Sequence, residues 1–454
     1  MPVGTFVKNA KTMTTYSKQL PPAKHYGVIV VGSGSAGATA AIAAARSGAK
    51  TLVLERLPFL GGTSTAVLDT FYGFYTPGTE SKKVVGGISD AVMERLRRHS
   101  SWLERPNTHG AGTGVTYHPE YLKVVWEDLV RESGAEVLLN AWVQDVEVSE
   151  GRMRSLTVAT KLGLRAFTAD VFIDASGDAD LCHFGGFGYE LAGDIDPAQT
   201  LTTTFKLCNV DVPRRKTISK TEFRALMAAA AESGLYNLPR KEGSDHITPV
   251  DHMTATIMTR LPSYFKKGES VVNATDPELL SLAEMEGRKQ AIEYIRFLQD
   301  KVPGYEKAQL STFGMQIGVR ETRRVYGEYR LTKEEVLSAK QFDDQIGLCG
   351  APIEDHHGGA DTAWAYLPDG QCVGIPWGTL IPKGSQNLLM AGRCFSSTHD
   401  AHASVRSMAQ CMAMGQAVGT AAGMMNRTNK APQEISVAEL QNQLRNDGAI
   451  LETP

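Results

Sequence analysis

The hydrophobic pattern near the start of the chain predicts a strand, a helix and a second strand in close succession. Residues 28–31 form a short β-branched run, as expected of a strand that is covered on both faces in a parallel sheet. Residues 36–45 are almost entirely Ala, Thr and Ile, small side chains that suit a helix lying close against a sheet. Residues 51–54 are again apolar, and Glu55 ends this second strand. The order predicts one β–α–β unit with parallel strands.

The same reading of the remaining chain predicts a mixed α/β protein. Amphipathic or small-residue periodicity predicts helices over residues 88–98, 121–133, 220–233, 276–298 and 408–425. Alternating or continuous apolar runs predict strands within residues 135–148, 153–160, 164–170, 171–174, 199–209, 374–380 and 387–391. In the last helix Gly415, Gly419 and Gly423 recur every four residues, which predicts a smooth face for packing on a sheet.

Glycines occupy the turn between the first strand and the first helix. Gly32, Gly34 and Gly37 form G-x-G-x-x-G, in which the first permits a sharp turn, the second admits a pyrophosphate and the third allows close helix packing. Glu55 can accept hydrogen bonds from a ribose. A glycine-rich helix start without a ligand is the alternative. The strand, turn, helix, second strand and acidic residue all lie within one short unit here, which favours the nucleotide site. The sequence therefore predicts a Rossmann-type dinucleotide site.

We expect interrupted domains, because the small-residue turn at residues 175–177 is far along the chain and yet belongs beside the same nucleotide. The nucleotide-binding domain is predicted to comprise residues 25–75, 120–190 and 311–430. An inserted α+β domain that binds the substrate and caps the site is predicted to comprise residues 76–119 and 191–310. Residues 1–24 are predicted to be a flexible leader, and residues 431–454 a C-terminal tail.

Composition narrows the classes of function. The formal net charge of −3 predicts no general affinity for nucleic acid or for anionic membranes. No stretch approaches the ~18 apolar residues of a membrane-spanning helix, and residues 1–24 lack the apolar segment of a secretory signal. The six cysteines show no CxxC spacing, which predicts reduced thiols in a cytoplasmic protein.

At this point the sequence resembles a known family, the FAD-dependent oxidoreductases of glutathione-reductase type, in the branch loosely akin to fumarate reductase flavoproteins. The matching segments are VIVVGSGSAGATAA, LERLPFLGG, VFIDASGDADL, GVRETRRVYGEY and NLLMAGRCFSSTHDAHASVRSMAQCMAMGQAVGTAA. The resemblance implies an extended FAD whose flavin meets the N-terminus of the last helix, where the helix dipole stabilises negative charge. The implied FAD contacts are Gly32, Gly34, Ser35, Ala36, Gly37, Glu55, Arg56, Gly62, Thr63, Val143, Ala175, Ser176, Gly177, Gly392, Arg393, Met408, Ala409 and Gln410.

Two histidines near the end of the chain are candidates for the catalytic base. Flavin dehydrogenation of an alcohol or amine needs a base for the heteroatom proton, and histidine titrates close to neutrality. His399 and His402 lie between a predicted strand and the flavin-contacting helix, and His399 is the preferred base. The alternative for both is a structural hydrogen bond to nearby backbone.

A second pair, His356 and His357, lies in a glycine-flanked segment together with Glu354, Asp355 and Asp361. The segment suits an active-site loop, and an ordinary exposed loop is the alternative. Histidine and carboxylate side chains also make a metal site conceivable. No HxxxH or similar fixed spacing is present, so we predict no metal.

Arginines offer a way to hold a substrate. Arg320 and Arg324 could clamp a carboxylate in a bidentate manner. Pairing with Glu321 or Glu328 at a domain interface is an equally good interpretation of the same segment. Arg406, close to the last helix, could compensate negative charge on the flavin or a phosphate.

These features favour an FAD-dependent dehydrogenase or oxidase that transfers a hydride from a small polar organic substrate to the flavin. Oxygen or an external electron acceptor then reoxidises the flavin. A separate NAD(P)H domain is disfavoured, because the second glycine cluster, Gly110, Gly112 and Gly114, follows no predicted strand and is predicted to be a loop.

Other readings remain open beside this one. A reductase of an activated C=C bond, in the manner of fumarate reductases, would depend on Arg320 or Arg324 more than on His399. A monooxygenase is disfavoured, because GRCFSSTHDAH does not look like the GD-containing segment typical of that group. An electron-transfer subunit is disfavoured by the large cap. A homo-oligomer is left open.

Overall fold

The computed structural model describes residues 20, 23–78, 81–105, 113–357 and 362–453. Most of the predicted leader, together with Gly110, Gly112 and Asp361, lies outside these residues. Within them, a parallel sheet with packed helices forms the larger part of the fold, and a mixed α+β part is inserted into it.

The central sheet confirms the predicted α/β class. Its strands are β1 Lys24–Val31, β2 Thr51–Leu54, β6 Glu136–Leu138, β7 Trp142–Ser149, β8 Arg152–Thr160, β9 Gly163–Asp174 and β22 Leu388–Met390. The strand order is β6-β2-β1-β9-β8-β7, and β22 pairs with the end of β9. β6, β2, β1, β9 and β22 are parallel, whereas β7, β8 and the start of β9 form an antiparallel meander. The carboxyl ends of the parallel strands therefore meet at one edge, where α/β folds place their ligands.

Helices cover the sheet and pack closely on each other. They are α1 Ser35–Arg46, α3 Ile88–His99, α4 Pro119–Glu132, α11 Met408–Thr428 and α12 Val437–Asn446. A Cβ on Gly415 would lie 2.2 Å from the Ala36 carbonyl oxygen, and one on Gly419 would lie 2.2 Å from the Ala40 carbonyl oxygen. The prediction that this glycine face packs on a sheet is wrong, because its partner is α1. The small side chains of α1 let the two helices approach this closely.

Two segments outside the predicted nucleotide domain also pack in its core. Val85, Leu96 and Tyr117 belong to the stretch assigned to the cap, and Leu440 and Leu451 belong to the predicted tail. All five side chains are buried in the same cluster as α1 and α11. Both segments therefore help to support the sheet.

The inserted part has a core of its own. It contains β11 Phe205–Cys208, β12 Ser244–Ile247, β13 Thr254–Ile257, β14 Tyr264–Lys267, β15 Ser270–Asn273, β16 Gln309–Phe313, α6 Val212–Arg215, α7 Lys220–Glu232 and α8 Pro277–Lys301. β12, β13, β11 and β16 form an antiparallel sheet in this order. Side chains of α7 and α8, including Phe223, Tyr294 and Phe297, pack with Phe205 of the sheet. We call this part the cap.

The remaining elements are short. They are α2 Thr63–Ala66, β3 Thr70–Phe71, β4 Leu103–Arg105, β5 Gly114–Thr116, α5 Asp180–Phe184, β10 Tyr189–Leu191, β17 Arg323–Val325, α9 Lys333–Leu337, β18 Gln345–Cys349, β19 Ile353–Asp355, β20 Ala363–Ala365, β21 Val373–Pro376, α10 His399–Val405 and 3₁₀ turns at Trp377–Leu380 and Pro432–Glu434. Three local predictions are corrected here. Gly114 begins a strand, residues 164–174 form one strand, and the predicted strand at 374–380 ends in a 3₁₀ turn.

The predicted strand over residues 199–209 is shorter than expected. Its first half bonds to separate segments: the Thr200 N–H donates to the His356 carbonyl, and the Thr204 hydroxyl donates to the Val67 carbonyl. These threonines therefore join the cap to the central part. In the described part of the chain no helix has the length and apolarity needed to cross a membrane.

Candidate functional site

A cavity of about 440 Å³ lies at the carboxyl ends of β1, β2, β9 and β22. Most of the predicted cofactor contacts line it: Gly32, Gly34, Ser35, Ala36, Glu55, Arg56, Gly62, Thr63, Val143, Ala175, Ser176, Gly177, Gly392, Arg393 and Met408. The cavity continues beneath the cap, where its wall includes Tyr72, Thr202, Thr204, Arg240, Glu242, Arg320, Glu354, His356, Trp364 and Arg406. Two of the predicted catalytic residues, Arg320 and His356, thus share one cavity with the predicted cofactor contacts.

Gly37, Ala409 and Gln410 are not among the described residues that line this cavity. The Ala409 N–H donates to the Tyr72 carbonyl at 3.3 Å. Gln410 Nε2 donates to the Gly73 carbonyl at 2.7 Å. Both residues therefore fix the start of α11 against the loop that precedes the cap, while Met408 lines the cavity.

The three glycines of the first turn differ in what a side chain would meet. A Cβ on Gly32, where φ is +90°, would lie 2.3 Å from the Ala175 carbonyl oxygen. A Cβ on Gly37 would lie 1.9 Å from the Gly32 carbonyl oxygen. At Gly34 the nearest such atom is the Cα of Gly62 at 4.0 Å. The fold itself needs Gly32 and Gly37, whereas Gly34 leaves the space that a pyrophosphate requires.

Ser35 supplies an independent test of whether this turn fits a phosphate. Its hydroxyl oxygen is buried in the cavity wall and has no hydrogen-bond partner among the described residues. Ser35 begins α1, and the preceding Gly34 offers no side chain to the free helix amides. An unpartnered hydroxyl beside free amides suits a phosphate. The residues present therefore fit the predicted dinucleotide.

Glu55 and Asp178 lie at opposite sides of this cofactor site. Glu55 is buried, and its Oε2 accepts hydrogen bonds from the Ser33 N–H (2.8 Å) and hydroxyl (2.6 Å). Asp178 Oδ1 accepts a hydrogen bond from Arg393 Nη2 at 2.7 Å. Burial, together with the charges of Asp178 and Asp174, raises the pKa of the neighbouring Asp180 to about 7. The charge beside Asp178 in the cofactor site therefore changes near neutral pH.

The segment that carries His356 and His357 divides its polar side chains between two sides. Glu354 and His356 line the cavity, and Glu354 Oε1 lies 3.1 Å from His356 Nε2. Asp355 and His357 are not part of the lining, and Asp355 Oδ2 lies 2.5 Å from His357 Nδ1. This division follows from the alternation of side chains along a strand, because the segment continues β19.

His356 is neutral and Glu354 is ionised near pH 7. Burial and the charge of Arg320 lower the pKa of His356 to about 3. Although burial opposes ionisation of Glu354, the neighbouring His356, which is still charged at the low pH where Glu354 titrates, and the charges of Arg406 and Arg320 lower its pKa to about 2. The Glu354 side chain is 35% exposed, so an ionised carboxylate is accessible within the cavity.

A chain of hydrogen bonds leads from this pair into the cap. The Thr362 hydroxyl oxygen lies 2.9 Å from His356 Nδ1 and also bonds to Glu242. Glu242 in turn lies 3.4 Å from Arg240 Nη2. Because the Thr362 hydroxyl donates to Glu242, His356 Nδ1–H donates to Thr362, and this bond holds the ring beside Glu354.

Arg320 occupies the position expected of a residue that contacts the substrate. Its Nη1 donates to the Thr200 carbonyl (2.8 Å) and the Thr202 hydroxyl (2.7 Å). Burial and the charges of Arg406 and Arg240 lower its pKa to about 9. Its guanidinium group thus lies among like charges in the wall of the cavity.

Arg324 and His402 are placed in structural roles instead. Arg324 is buried and forms ion pairs with Glu321 and Glu190. The pairing with Glu321 matches the alternative interpretation, in which this segment forms ion pairs and does not clamp a substrate. His402 is fully buried, and its Nε2 lies 2.8 Å from the Arg393 carbonyl oxygen. Burial lowers the pKa of His402 to about 3. Neither side chain lines the cavity in the described part of the chain.

The position of His399 argues against its predicted role as the base. Its side chain is 6% exposed, with Nδ1 3.0 Å from Glu321 Oε1 and Nε2 3.2 Å from Asp355 Oδ1. Although burial opposes protonation, the neighbouring carboxylates of Asp355 and Glu321 raise the pKa of His399 to about 10. A protonated imidazole held by two carboxylates cannot accept a proton near pH 7. His399 instead ties α10 to β19.

We expect His399→Gln to lower the free energy of unfolding by about 3 kcal/mol near pH 7, because it removes the cation between two buried carboxylates. The folded-state pKa of about 10 lies above the ordinary value of 6.5. The stabilisation is therefore complete below pH 6.5 and is lost as the pH rises through 10. Urea unfolding between these pH values should show parent and variant converging.

The matched control for this prediction is His183→Gln, because His183 is exposed. It should change the unfolding free energy little, with no convergence as the pH rises. A His399→Gln difference that stays constant between pH 6.5 and pH 10 would contradict a protonated His399.

The sequence analysis missed several residues on the cap side of the cavity. Arg240 and Glu242 lie in a stretch of prolines and mixed charges, and Thr202 lies in a threonine run, so no local signal marks them. Glu354 could have been found, because the period of a strand separates Glu354 and His356 from Asp355. Among the residues described, no group of three or more His, Cys, Asp or Glu side chains is placed to hold a metal ion.

Comparisons with known proteins identify a family. Residues 27–444 match the family model of the FAD dependent oxidoreductases. No curated protein gives a significant match.

Several solved structures share similarity at low identity. A geranylgeranyl bacteriochlorophyll reductase-like protein from Thermoplasma acidophilum is 14% identical, with 94% of this chain and 84% of that chain covered and a TM-score of 0.47. The OxyS anhydrotetracycline hydroxylase from Streptomyces rimosus is 11% identical, with 92% and 65% covered and a TM-score of 0.47. The p-nitrophenol 4-monooxygenase PnpA from Pseudomonas putida DLL-E4 is 10% identical, with 94% and 85% covered and a TM-score of 0.46. Likenesses of this degree say nothing about the reaction of this chain.

Proposed function

Since the chain belongs to the FAD-dependent oxidoreductase family, we propose that it is a dehydrogenase or oxidase of a small polar organic substrate. The substrate loses a hydride from carbon and a proton from its hydroxyl or amine, and oxygen or another external acceptor takes the two electrons. We include in the proposal the branch with a glutathione-reductase-type fold akin to fumarate reductase flavoproteins, on the sequence segments quoted above. A cytoplasmic location agrees with the six free thiols.

The cavity has a cofactor side and a cap side, and this division supports the proposed reaction. The turn at Gly34, with Ser35 and Glu55, would hold the adenosine and pyrophosphate of FAD, and Met408 would lie at its flavin end. Bound FAD supplies the acceptor for the hydrogen and two electrons that leave the substrate C–H bond. The cap side of the cavity then has to bind the substrate, orient that bond and take the remaining proton.

Glu354 is the single observation that carries the proposal. It is an ionised carboxylate in the wall of the cavity that holds the cofactor site. Glu354 Oε2 can accept the hydroxyl or amine proton of the substrate, while His356, whose Nε2 lies 3.1 Å from Oε1, packs beside the carboxylate and limits its movement. An electron-transfer subunit would not need a proton acceptor at this place.

Anaerobic titration tests the proposal. Purified protein with bound FAD is mixed with a panel of small alcohols, amines and hydroxy acids, and absorbance in the flavin band is followed. We expect at least one compound to bleach the band, and oxygen or an artificial acceptor to restore it. If none of these compounds reduces the protein but a redox partner protein does, the protein is an electron-transfer subunit and the proposal is wrong.

One observation favours the reverse direction as a second candidate. Arg320, with a pKa lowered to about 9, gives up a proton more readily than an ordinary arginine. A reductase of an activated C=C bond needs such a donor beside the double bond. Dithionite-reduced protein should then be reoxidised without oxygen by an unsaturated acid and unaffected by its saturated analogue. The bleaching experiment and this one give opposite results for the two directions.

A further inference from the structure

We propose that the substrate carries an oxyanion, a carboxylate or a phosphate, that binds between Arg320 and Arg406 on the cap side of the cavity. That this ligand is the substrate rests on the proposed function, whereas the binding site itself does not.

Arg320 and Arg406 both present their guanidinium groups to neutral partners. Arg320 Nη1 donates to a carbonyl and a hydroxyl oxygen, as described above. Arg406 Nη2 donates to Gln199 Oε1 at 2.8 Å, and Arg406 Nε is buried without a hydrogen-bond partner. Among the described residues, no carboxylate oxygen lies within 4.0 Å of either group.

Other arginines of low exposure are paired with carboxylates. Arg324 contacts Glu321 and Glu190, and the Arg215 guanidinium forms two hydrogen bonds to Asp245. A buried cation without a paired anion is costly, and arginine presents a fork of donors that matches an oxyanion. The two cavity arginines therefore present donors that the protein itself does not use.

Arg240 points to the same ligand independently. It lines the cavity and is 7% exposed, and its Nε has no hydrogen-bond partner in the described part of the chain. Its nearest carboxylate is Glu242, which it shares with Arg260 at 3.4 and 3.6 Å.

The charges around this space do not balance. Three guanidinium groups line this part of the cavity, those of Arg240, Arg320 and Arg406, against the two carboxylates of Glu242 and Glu354, and His356 is neutral. The lowered pKa of Arg320 has the same origin, because burial and its arginine neighbours disfavour its charge. An anion placed among them would relieve this repulsion. Arg406 also directly precedes Ser407 and Met408 at the start of α11, so the anion would lie next to the flavin end of the cofactor site.

Anion titration of the FAD-loaded protein tests the site. Acetate, phosphate and the neutral analogue acetamide are added at constant ionic strength, set with chloride, and perturbation of the FAD spectrum is recorded with the melting temperature. We expect acetate or phosphate to bind with saturation and acetamide to have no effect. Arg320→Gln and Arg406→Gln should each weaken binding at least tenfold, and Arg320→Lys should weaken it less. Arg288→Gln, at an exposed arginine on α8, is the matched control and should change nothing.

Each outcome decides one question. Saturation by acetate identifies a carboxylate and saturation by phosphate a phosphate, and both support the site. Equal effects of acetate and acetamide, or anion binding that survives both glutamine variants with FAD still bound, overturn it. If a neutral alcohol or amine reduces the protein while no anion binds, the site is wrong and the proposed function stands. If anions bind but no donor reduces the protein, the site stands and the proposed function fails.

Discussion

A Gly34→Val protein is expected to fold and yet to lose its FAD. A Cβ on Gly34 meets no clash, since its nearest neighbour would be the Cα of Gly62 in ordinary contact at 4.0 Å. A valine there leaves the packing of α1 intact but fills the space that the pyrophosphate needs. Lost charge-assisted hydrogen bonds worth about 4 kcal/mol raise the Kd for FAD roughly 1,000-fold. Flavin absorbance per polypeptide after gel filtration, with far-UV circular dichroism and the melting temperature, measures both effects.

The companion variant is Gly37→Ala, which should behave in the opposite way. Its Cβ would lie 1.9 Å from the Gly32 carbonyl oxygen, so α1 must move away from β1 for the protein to fold. We expect a large fall in melting temperature even when excess FAD is present. A Gly34→Val protein that retains stoichiometric FAD, or one that is as unstable as Gly37→Ala, would show that this turn does not cradle the cofactor.

The cofactor side of the cavity could be predicted because its information is local. Gly32, Gly34, Gly37 and Glu55 lie within one β–α–β unit, and each has a requirement that the backbone imposes on that residue. The later contacts, such as Ala175 and Gly392, follow strands of the same sheet and are implied by the family resemblance. Such contacts need no knowledge of how distant segments meet.

The cap side could not be predicted in this way. Its wall combines segments near residues 202, 240, 320, 354 and 406, and only the folded chain brings them together. The charges of these segments then change one another, as the lowered pKa of Arg320 shows. A sequence gives the identity of each residue but not how charges from distant segments shift one another's pKa values.

His399 shows how charges from distant segments can reverse a role predicted from the sequence. Its place before the flavin-contacting helix makes it the natural base in the sequence. Glu321 and Asp355, from distant segments, hold it protonated. The same strand that supplies Asp355 turns Glu354 toward the cavity, so the proton acceptor moves from a histidine to a carboxylate.

We therefore expect Glu354→Gln to slow reduction of bound FAD by the substrate about 100- to 10,000-fold, because an amide cannot take up the proton. Glutamine has nearly the same shape, and its amide can keep the contact with His356 Nε2 in either orientation. The cavity should thus keep its form and its affinity for the cofactor. Anaerobic stopped-flow measurement with the donor found by titration gives the rate constant.

The pH dependence of this rate links Glu354 to the anion site. Arg406 and Arg320 contribute to the low pKa of Glu354, which is about 2 in the protein without substrate. An oxyanion bound between the two arginines offsets their charge, so substrate binding should raise the pKa of Glu354. This brings the base closer to the pH at which it works. The rate of the parent should fall as the pH falls below the raised pKa, and Glu354→Gln should lack this dependence.

Asp355→Asn is the matched control, because Asp355 neighbours Glu354 on β19 and lies outside the cavity lining. Its Oδ1 lies 3.2 Å from His399 Nε2, so the variant should lose stability. The rate constant for reduction of the folded, FAD-loaded protein should nevertheless change little. If Asp355→Asn slowed reduction as much as Glu354→Gln, the assignment of the proton acceptor to the cavity side of β19 would be wrong. A separation of the two effects would instead place stability on one side of this strand and proton transfer on the other.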